Sequence, residues 1–354
     1  MTSELSSLCS YAKGKVSVDT LSKRNYVSTE NMMPNKGGIV DAGALPSAQY
    51  TQQYIKDDIL VSNIRPYFKK IWMADDDGGC SNDVLVFRAD RGCDSTFLYY
   101  ILANDAFFNY ASATSKGTKM PRGDKTAIMQ YKVPCFNYET QLRIGKLLRS
   151  IDDRIAVNKK INDNLAAMAY DIYMHTFFSK KPNGRLKDIL VETDKSSVQV
   201  GEAKQSTGEY PFFTSGSAIL KWDTPFIDGR NCFLNTGGNA DVKFYVGKAA
   251  YSTDTWCISA TNDMADYLYL LLVSIKPELN QKFFQGTGLK HLQKPLLKDR
   301  PIYIPDFDGL KIFNKQVNPM FNIISENTRE NQELITLRDW LLPMLMNGQA
   351  TISD

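Results

Sequence analysis

Hydrophobic positions along the chain follow two periods. Short apolar or aromatic runs such as Ile59-Leu-Val, Val84-Leu-Val-Phe, Phe244-Tyr-Val and Trp256-Cys-Ile are separated by Gly, Asn and Asp turns, which predicts β-rich segments. From Glu139 to Phe178 the pattern changes. Only Gly145 interrupts there, and Ile144, Leu148, Ile151, Ile155, Asn158, Asn162, Leu165, Met168 and Ile172 recur at spacings of four and three, as in a heptad seam. A second such stretch carries Val317, Met320, Ile324, Asn327, Asn331, Leu334, Arg338, Leu341 and Leu345, and Asn318-Pro319 ahead of it reads as an N-cap with a proline in the first turn.

These two patterns occur twice, in the same order. With a period of about 172 residues, Ser81-Asn-Asp83-Val-Leu-Val86 aligns with Ser252-Thr-Asp254-Thr-Trp-Cys257, and Phe97-Leu-Tyr-Tyr-Ile-Leu102 with Tyr267-Leu-Tyr-Leu-Leu-Leu272. Lys116-Gly-Thr-Lys119 then aligns with Gln285-Gly-Thr-Gly288, and Tyr131-Lys-Val-Pro-Cys-Phe136 with Tyr303-Ile-Pro-Asp-Phe307. The shifts needed between blocks point to a divergent duplication. Asn158 falls on Asn331. An asparagine at a core heptad position fixes register and partner at a cost in stability, so the matched pair suggests two helices facing each other within one chain; both side chains on solvated faces is the alternative. A forty-residue helix is roughly 60 Å long, which makes it a possible ruler between two similar heads.

The chain has 354 residues with 43% hydrophobic and 23% charged content, enough for two folded units. Net charge is only +3, so any basic surface is local. Two matched stretches supply one: Lys116, Lys119, Arg122, Lys125 and Lys132 with a single acid, Asp124, and Lys282, Lys290, Lys294, Lys298 and Arg300 with Asp299 and His291. Such clusters suit phosphate neutralisation. No run approaches the ~20 apolar residues of a bilayer span, and the start has no signal-like apolar region, so a soluble cytoplasmic protein without membrane contact is expected.

Catalytic chemistry finds little support. The six cysteines (Cys9, Cys80, Cys93, Cys135, Cys232, Cys257) form no CxxC pair, and the two histidines, His175 and His291, lie far apart, so no metal site is expected. The glycine-rich pieces Asn235-Thr-Gly-Gly-Asn-Ala-Asp241 and Gly286-Thr-Gly288 are neither a phosphate-binding loop nor a dinucleotide fingerprint. Asp194, Glu202 and Lys204 have the order of a Mg²⁺-dependent nuclease but no apolar strand beneath them. A stand-alone nuclease or a coiled-coil protein adaptor are the alternatives from other classes.

Asp58-Ile-Leu-Val-Ser-Asn-Ile-Arg-Pro-Tyr-Phe-Lys-Lys70, Gly117-Thr-Lys-Met-Pro-Arg122 and Pro134 leading to Glu139-Thr-Gln141 resemble the target-recognition domain and following helix of type I restriction-modification specificity subunits. Gly286-Thr-Gly-Leu-Lys-His-Leu292, Ile302-Tyr-Ile-Pro305 and Leu337-Arg-Asp-Trp-Leu-Leu-Pro-Met-Leu-Met-Asn-Gly348 extend the resemblance over nearly the whole chain. One departure is that Glu139 and Gln141 stand for the family's Glu-Gln pair in the first half, whereas Asp306-Phe-Asp-Gly-Leu-Lys311 replaces it in the second.

The resemblance implies an α+β fold of two similar α/β target-recognition domains, an internal pseudo-repeat, separated by two long antiparallel coiled-coil helices. The expected divisions are residues 1–138, a spacer helix over 139–180, a second recognition domain over 181–316 and a C-terminal helix over 317–348. It implies a non-catalytic subunit without cofactor, each half reading one part of a bipartite double-stranded DNA target. It also implies two methyltransferase (modification) subunits as partners, joined by restriction subunits in the full complex. Lys116, Lys119, Arg122, Lys290 and Lys294 are expected mainly on phosphates. Arg65, Tyr67, Asn235 and Asn239 lie on turns after aligned strands where Arg and Asn can meet base edges, although Arg65 reads equally as a residue shaping the turn before Pro66. Lys69, Lys243 and His291 complete the expected DNA-binding set.

Overall fold

Apolar runs without polar alternation need burial on both faces, and the strands have it. In the computed structural model, which describes residues 2–350 and 352, Cys9–Tyr11, Val84–Ala89, Ile59–Ser62 and Ile71–Met73 form an antiparallel sheet in that spatial order. Successive side chains point to opposite faces. Ile59, Val61, Leu85 and Phe87 therefore pack with Leu98, Ile101 and Phe107 of the helices Ser95–Ala103 and Asp105–Ala113. Leu60, Val84 and Val86 turn the other way, onto Val27, Tyr54 and Cys80 of a second sheet ordered Lys15–Ser17, Tyr50–Tyr54, Gly78–Cys80 and Tyr26–Val27.

The second half of the chain repeats this plan. Leu190–Glu192, Thr255–Ala260, Arg230–Asn235 and Val242–Val246 pair in the corresponding order. Cys232, Leu234, Trp256 and Ile258 face Leu268 and Leu271 of helix Ala265–Ser274, while Phe233 and Cys257 face Phe213 and Tyr251. The second sheet is shorter, with Ile219–Trp222, Tyr210–Phe213 and Ala250–Tyr251.

Two units result. One comprises the chain through Arg154 together with residues from Leu334 onward, and the other is Ile155–Glu333. The division falls within both long helices, Tyr138–Tyr173 and Phe307–Met346. The second helix thus begins at Phe307, and Asn318-Pro319 lies inside it, contrary to the start expected from those two residues. Its cap is Asp306, whose carboxylate accepts the Gly309 backbone N–H at 2.8 Å, matching Asn137, which accepts from Thr140 at 2.8 Å at the head of the first helix. Gln141, just inside that first helix, is buried. Its amide nitrogen donates to the Phe136 carbonyl at 3.0 Å, and its side-chain oxygen accepts the Asp94 backbone N–H at 3.1 Å.

Helix pairing within each unit is antiparallel. In the first unit Arg338 donates to Asp152 at 2.7 Å, and the Tyr100 hydroxyl donates to the same carboxylate at 2.6 Å. In the second unit Asn158 donates to Asn331 at 3.0 Å and to Glu330 at 2.7 Å, and Asn327 donates to Asn162 at 2.8 Å. Asn158 and Asn331 are both buried, so the matched asparagines do face each other. Met168, expected in the seam, is exposed. Ala169, Tyr173 and Phe177 take over because this part of the helix packs on Tyr267 and Phe313 of the second unit's own core, and the helix ends in a wide π-turn, Met174–Phe178.

Candidate nucleic-acid interface

The first unit builds its candidate surface where strand Ile59–Ser62 ends. Arg65 and Lys69 hold left-handed backbone conformations (φ 50° and 51°) on either side of the single turn Pro66–Phe68. Non-glycine residues there carry a steric cost that surrounding structure must enforce. The enforcing contacts are main-chain. The Arg65 N–H donates to the Pro121 carbonyl at 2.8 Å, the Gly123 N–H to Asn63 at 3.1 Å, and Lys116 and Arg122 exchange both backbone bonds at 2.9 Å. The basic loop Lys116–Arg122 is therefore a hairpin tip laid along the 63–69 turn, and the two expected stretches come together.

Side chains on this surface differ in how free they are. Tyr67 is exposed and packs on Phe68, with centroids 4.8 Å apart. Lys69 pairs with Asp105 at 2.8 Å, Lys116 with Asp124 at 2.6 Å and Arg122 with Asp83 at 3.0 Å. Lys119 is exposed and makes no ion pair among the described residues. The Arg65 Nε is buried and has no hydrogen-bond partner among the described residues, so part of this guanidinium is turned away from solvent.

The second unit repeats the stitching position by position. The Thr236 N–H donates to Asp254 at 3.0 Å as Asn63 does to Asp83 at 2.8 Å, and Leu292 donates to Thr236 at 2.9 Å as Gly123 does to Asn63. Gln285 pairs with His291 as Lys116 pairs with Arg122, and Gly237 lies opposite His291 as Ile64 lies opposite Arg122. Lys290, whose carbonyl accepts from Gly238 at 2.9 Å, and His291 are exposed at this tip. Beside the tips lie matching clefts of about 370 Å³, with Tyr11, Asn82 and Lys125, and about 410 Å³, with Glu192, Thr253 and Lys294.

Three expected contacts are otherwise engaged. Asn235 is buried. Its amide donates to the Gly237 carbonyl at 2.6 Å and the Asn239 carbonyl at 2.5 Å, and its oxygen accepts from Asp241 at 2.7 Å. It closes the loop and leaves nothing for a base, whereas Asn239 is exposed. Lys243 turns inward to the carbonyls of Thr214, at 2.6 Å, and Gly216, and burial lowers its pKa. Lys294 lies 4.8 Å over the Trp256 ring, its pKa also lowered by burial. The nuclease-like set fares similarly, since Glu202 accepts the Gln199 N–H at 2.7 Å as a helix cap. Among the described residues no group of His, Cys, Asp or Glu could hold a metal ion, and no helix is long and apolar enough to cross a membrane.

Sequence reasoning passed over Lys36, which shares Asp105 with Lys69 at 2.9 Å. The turn-forming run Pro34-Asn-Lys-Gly-Gly38 was the available signal.

Residues 1–167 match the family model described as the type I restriction modification DNA specificity domain. The chain is 22% identical over 309 residues to the type I restriction enzyme MjaIX specificity subunit of Methanocaldococcus jannaschii, covering 74% of this chain and 71% of the relative. It is 21% identical over 326 residues to the MjaVIII specificity subunit of the same organism, covering 77% and 74%. In structure it is similar to the S subunit of a type I restriction-modification system from M. genitalium, with a TM-score of 0.66 and 14% identity over 100% of this chain and 96% of that one. That likeness shows the fold, a repeated α/β unit with two long helices.

Proposed function

We propose that this chain, which belongs to the specificity subunits of type I restriction-modification systems, recognises a bipartite DNA sequence, one part with each head, and performs no catalysis itself. The observation that carries the reading is the repeated tip. In both halves a loop after the central strand and a hairpin tip are joined by the same main-chain bonds, at Asn63 with Gly123 and at Thr236 with Leu292, and cationic or polar side chains stand exposed on them. Lys116, Lys119, Arg122 and Lys290 suit phosphates, while Tyr67, Asn239 and His291 stand where base edges would be met. Residues 1–138 and 181–306 act as the recognition domains, and the long helices set the spacer and dock two modification subunits, with restriction subunits in the full complex. The assembly works in the cytoplasm.

The test is to lengthen the helices. One heptad after Asn158 and one after Asn331 keep the seam in phase to within a small drift. Seven residues add about 10 Å, which at ~3.4 Å per base pair is about three base pairs of spacer. Methylated motifs made by the lengthened subunit with its modification partners should keep both half-sites and gain that gap. An unchanged gap at full efficiency would show that the helices only dock partners.

A further inference from the structure

The two heads differ in one large feature beside the common tip. After its Tyr26–Val27 strand the first unit runs through 31 residues, 28–58, before the central strand Ile59–Ser62, whereas the second unit covers the matching interval, from Tyr210–Phe213 to Arg230–Asn235, in 16 residues, 214–229. The longer excursion is ordered by its own contacts. Asn31 is buried and its side chain makes four hydrogen bonds, its oxygen accepting from the Ser28 N–H and hydroxyl and its nitrogen donating to the carbonyls of Tyr26, at 3.0 Å, and Val40, at 2.8 Å. Met32, fully buried, pairs with Ile39 across a small hairpin, and the Met33 N–H donates to Gly38 at 2.8 Å.

At the hairpin's tip Asn35 and Lys36 are both left-handed (φ 55° and 60°), the signature of a tight type I′ turn, which Asn tolerates well. That tip is fastened to the recognition turn. The Asn35 N–H donates to the Phe68 carbonyl and the Lys36 N–H to the Lys69 carbonyl, both at 2.8 Å, and the ammonium groups of Lys36 and Lys69 converge on the one carboxylate of Asp105. Two cations on one acid leave net positive charge at that spot. Asn35 stands exposed, and its side chain makes no hydrogen bond among the described residues. In the second unit Lys243 binds the Thr214 carbonyl as Lys70 binds that of Thr29 in the first, but the turn 214–218 of the hairpin there is tied to the loop 236–240 by no main-chain bond among the described residues.

We propose that the hairpin Asn31–Val40 is a DNA-reading finger of the first head alone, with Asn35 directed to a base edge and Lys36 to a phosphate. It rests on the DNA-recognition reading above and adds to it that the two half-sites are read over unequal lengths. An exposed asparagine on a rigid turn can make a bidentate contact to adenine, and the adjoining excess of positive charge suits the DNA backbone and not an acidic protein groove alone.

The experiment selects bound duplexes from a randomised library with the full chain assembled with its modification subunits. Asn35→Gly keeps the left-handed turn and removes only the side chain, so the hairpin survives. Preference at one base-pair position at an edge of one half-site should fall roughly tenfold, with every other position unchanged. Lys36→Ala should lower affinity a few-fold on all duplexes. The paired variant Lys119→Ala with Arg122→Ala is the control for DNA contact by the common tip. If the control weakens binding while Asn35→Gly leaves every position unaltered, the finger does not read DNA. Loss of modification-subunit binding with base preferences intact would likewise overturn it in favour of a protein contact. A silent control would instead overturn the recognition reading itself.

Discussion

The two heads share a skeleton and differ at the surface it presents. Each lays a hairpin tip against a loop, and in each the joining bonds run from backbone N–H to backbone carbonyl: 65 to 121 and 123 to 63 in one, 238 to 290 and 292 to 236 in the other. Main-chain bonds are indifferent to side-chain identity. Arg122 can therefore correspond to His291, and Lys116 to Gln285, with the frame intact. Geometry and chemistry are carried by separate atoms here, so the reading surface can diverge without loss of fold.

The two heads should differ most at their buried ion pairs. Asp58 and Asp266 are both buried carboxylates gripped by a guanidinium, Arg88 at 2.8 and 2.6 Å and Arg230 at 2.6 and 2.7 Å. Asp58 also accepts the Ile55 N–H at 2.8 Å, and Arg88 is the more exposed partner. Arg230→Leu should cost the second unit about 3–5 kcal/mol, the penalty of a stranded buried charge, and Arg88→Leu clearly less in the first. Urea denaturation of each variant, followed by hydrogen exchange to locate the loss, checks the order.

Asn235→Ala comes next. It removes three hydrogen bonds from a buried hub and should cost about 2 kcal/mol or somewhat more. Amide exchange over 235–241 should rise throughout, and the base preference of that half-site should blur as a whole. A clean change at a single base position would restore Asn235 as a reader.

Asn158→Leu alone leaves Asn331 without its buried partner and should destabilise the second unit by about 1–3 kcal/mol, while Leu at both positions should recover most of it and loosen register. Thermal melting separates the two, and an equal loss in single and double variants would mean that the pair is not coupled.

The smallest effect sharpens the tips. Lys116 and Arg122 already hold internal carboxylates, whereas Lys119 pairs with none among the described residues. Lys119→Ala should therefore flatten the dependence of log affinity on log salt by about 0.9, the value for one phosphate contact, and Lys116→Ala by less. A larger loss of slope for Lys116→Ala would reverse the assignment.

Much of this was legible in the sequence because burial leaves a periodic trace. The runs at 59–61, 84–87 and 256–258 became central strands, and the pairing of Asn158 with Asn331 followed from the repeat. The start of the second helix was not legible. A proline after an asparagine imitates a cap, and only the carboxylate of Asp306 closing on Gly309 distinguishes the true one. The inward turn of Lys243 was equally hidden, since its partners are carbonyls of a distant turn and carbonyls have no sequence identity. Lys36 and Lys69 approach the same acid from loops that no local pattern links.

The first unit's core includes Leu342, Leu345 and Met346 alongside Leu148 and Phe97, whereas the second unit is one uninterrupted stretch. During synthesis this sets a timetable. Ile155–Glu333 has every residue it needs once Glu333 has left the ribosome, but the earlier-made half must wait for the later-made helix to return to it. Its closing contacts join distant parts of the chain, as between Asp152 and Arg338, 186 residues apart, the slowest kind to form. The half synthesised first is therefore the last to be sealed, and until then the core that Leu342, Leu345 and Met346 complete stays partly open.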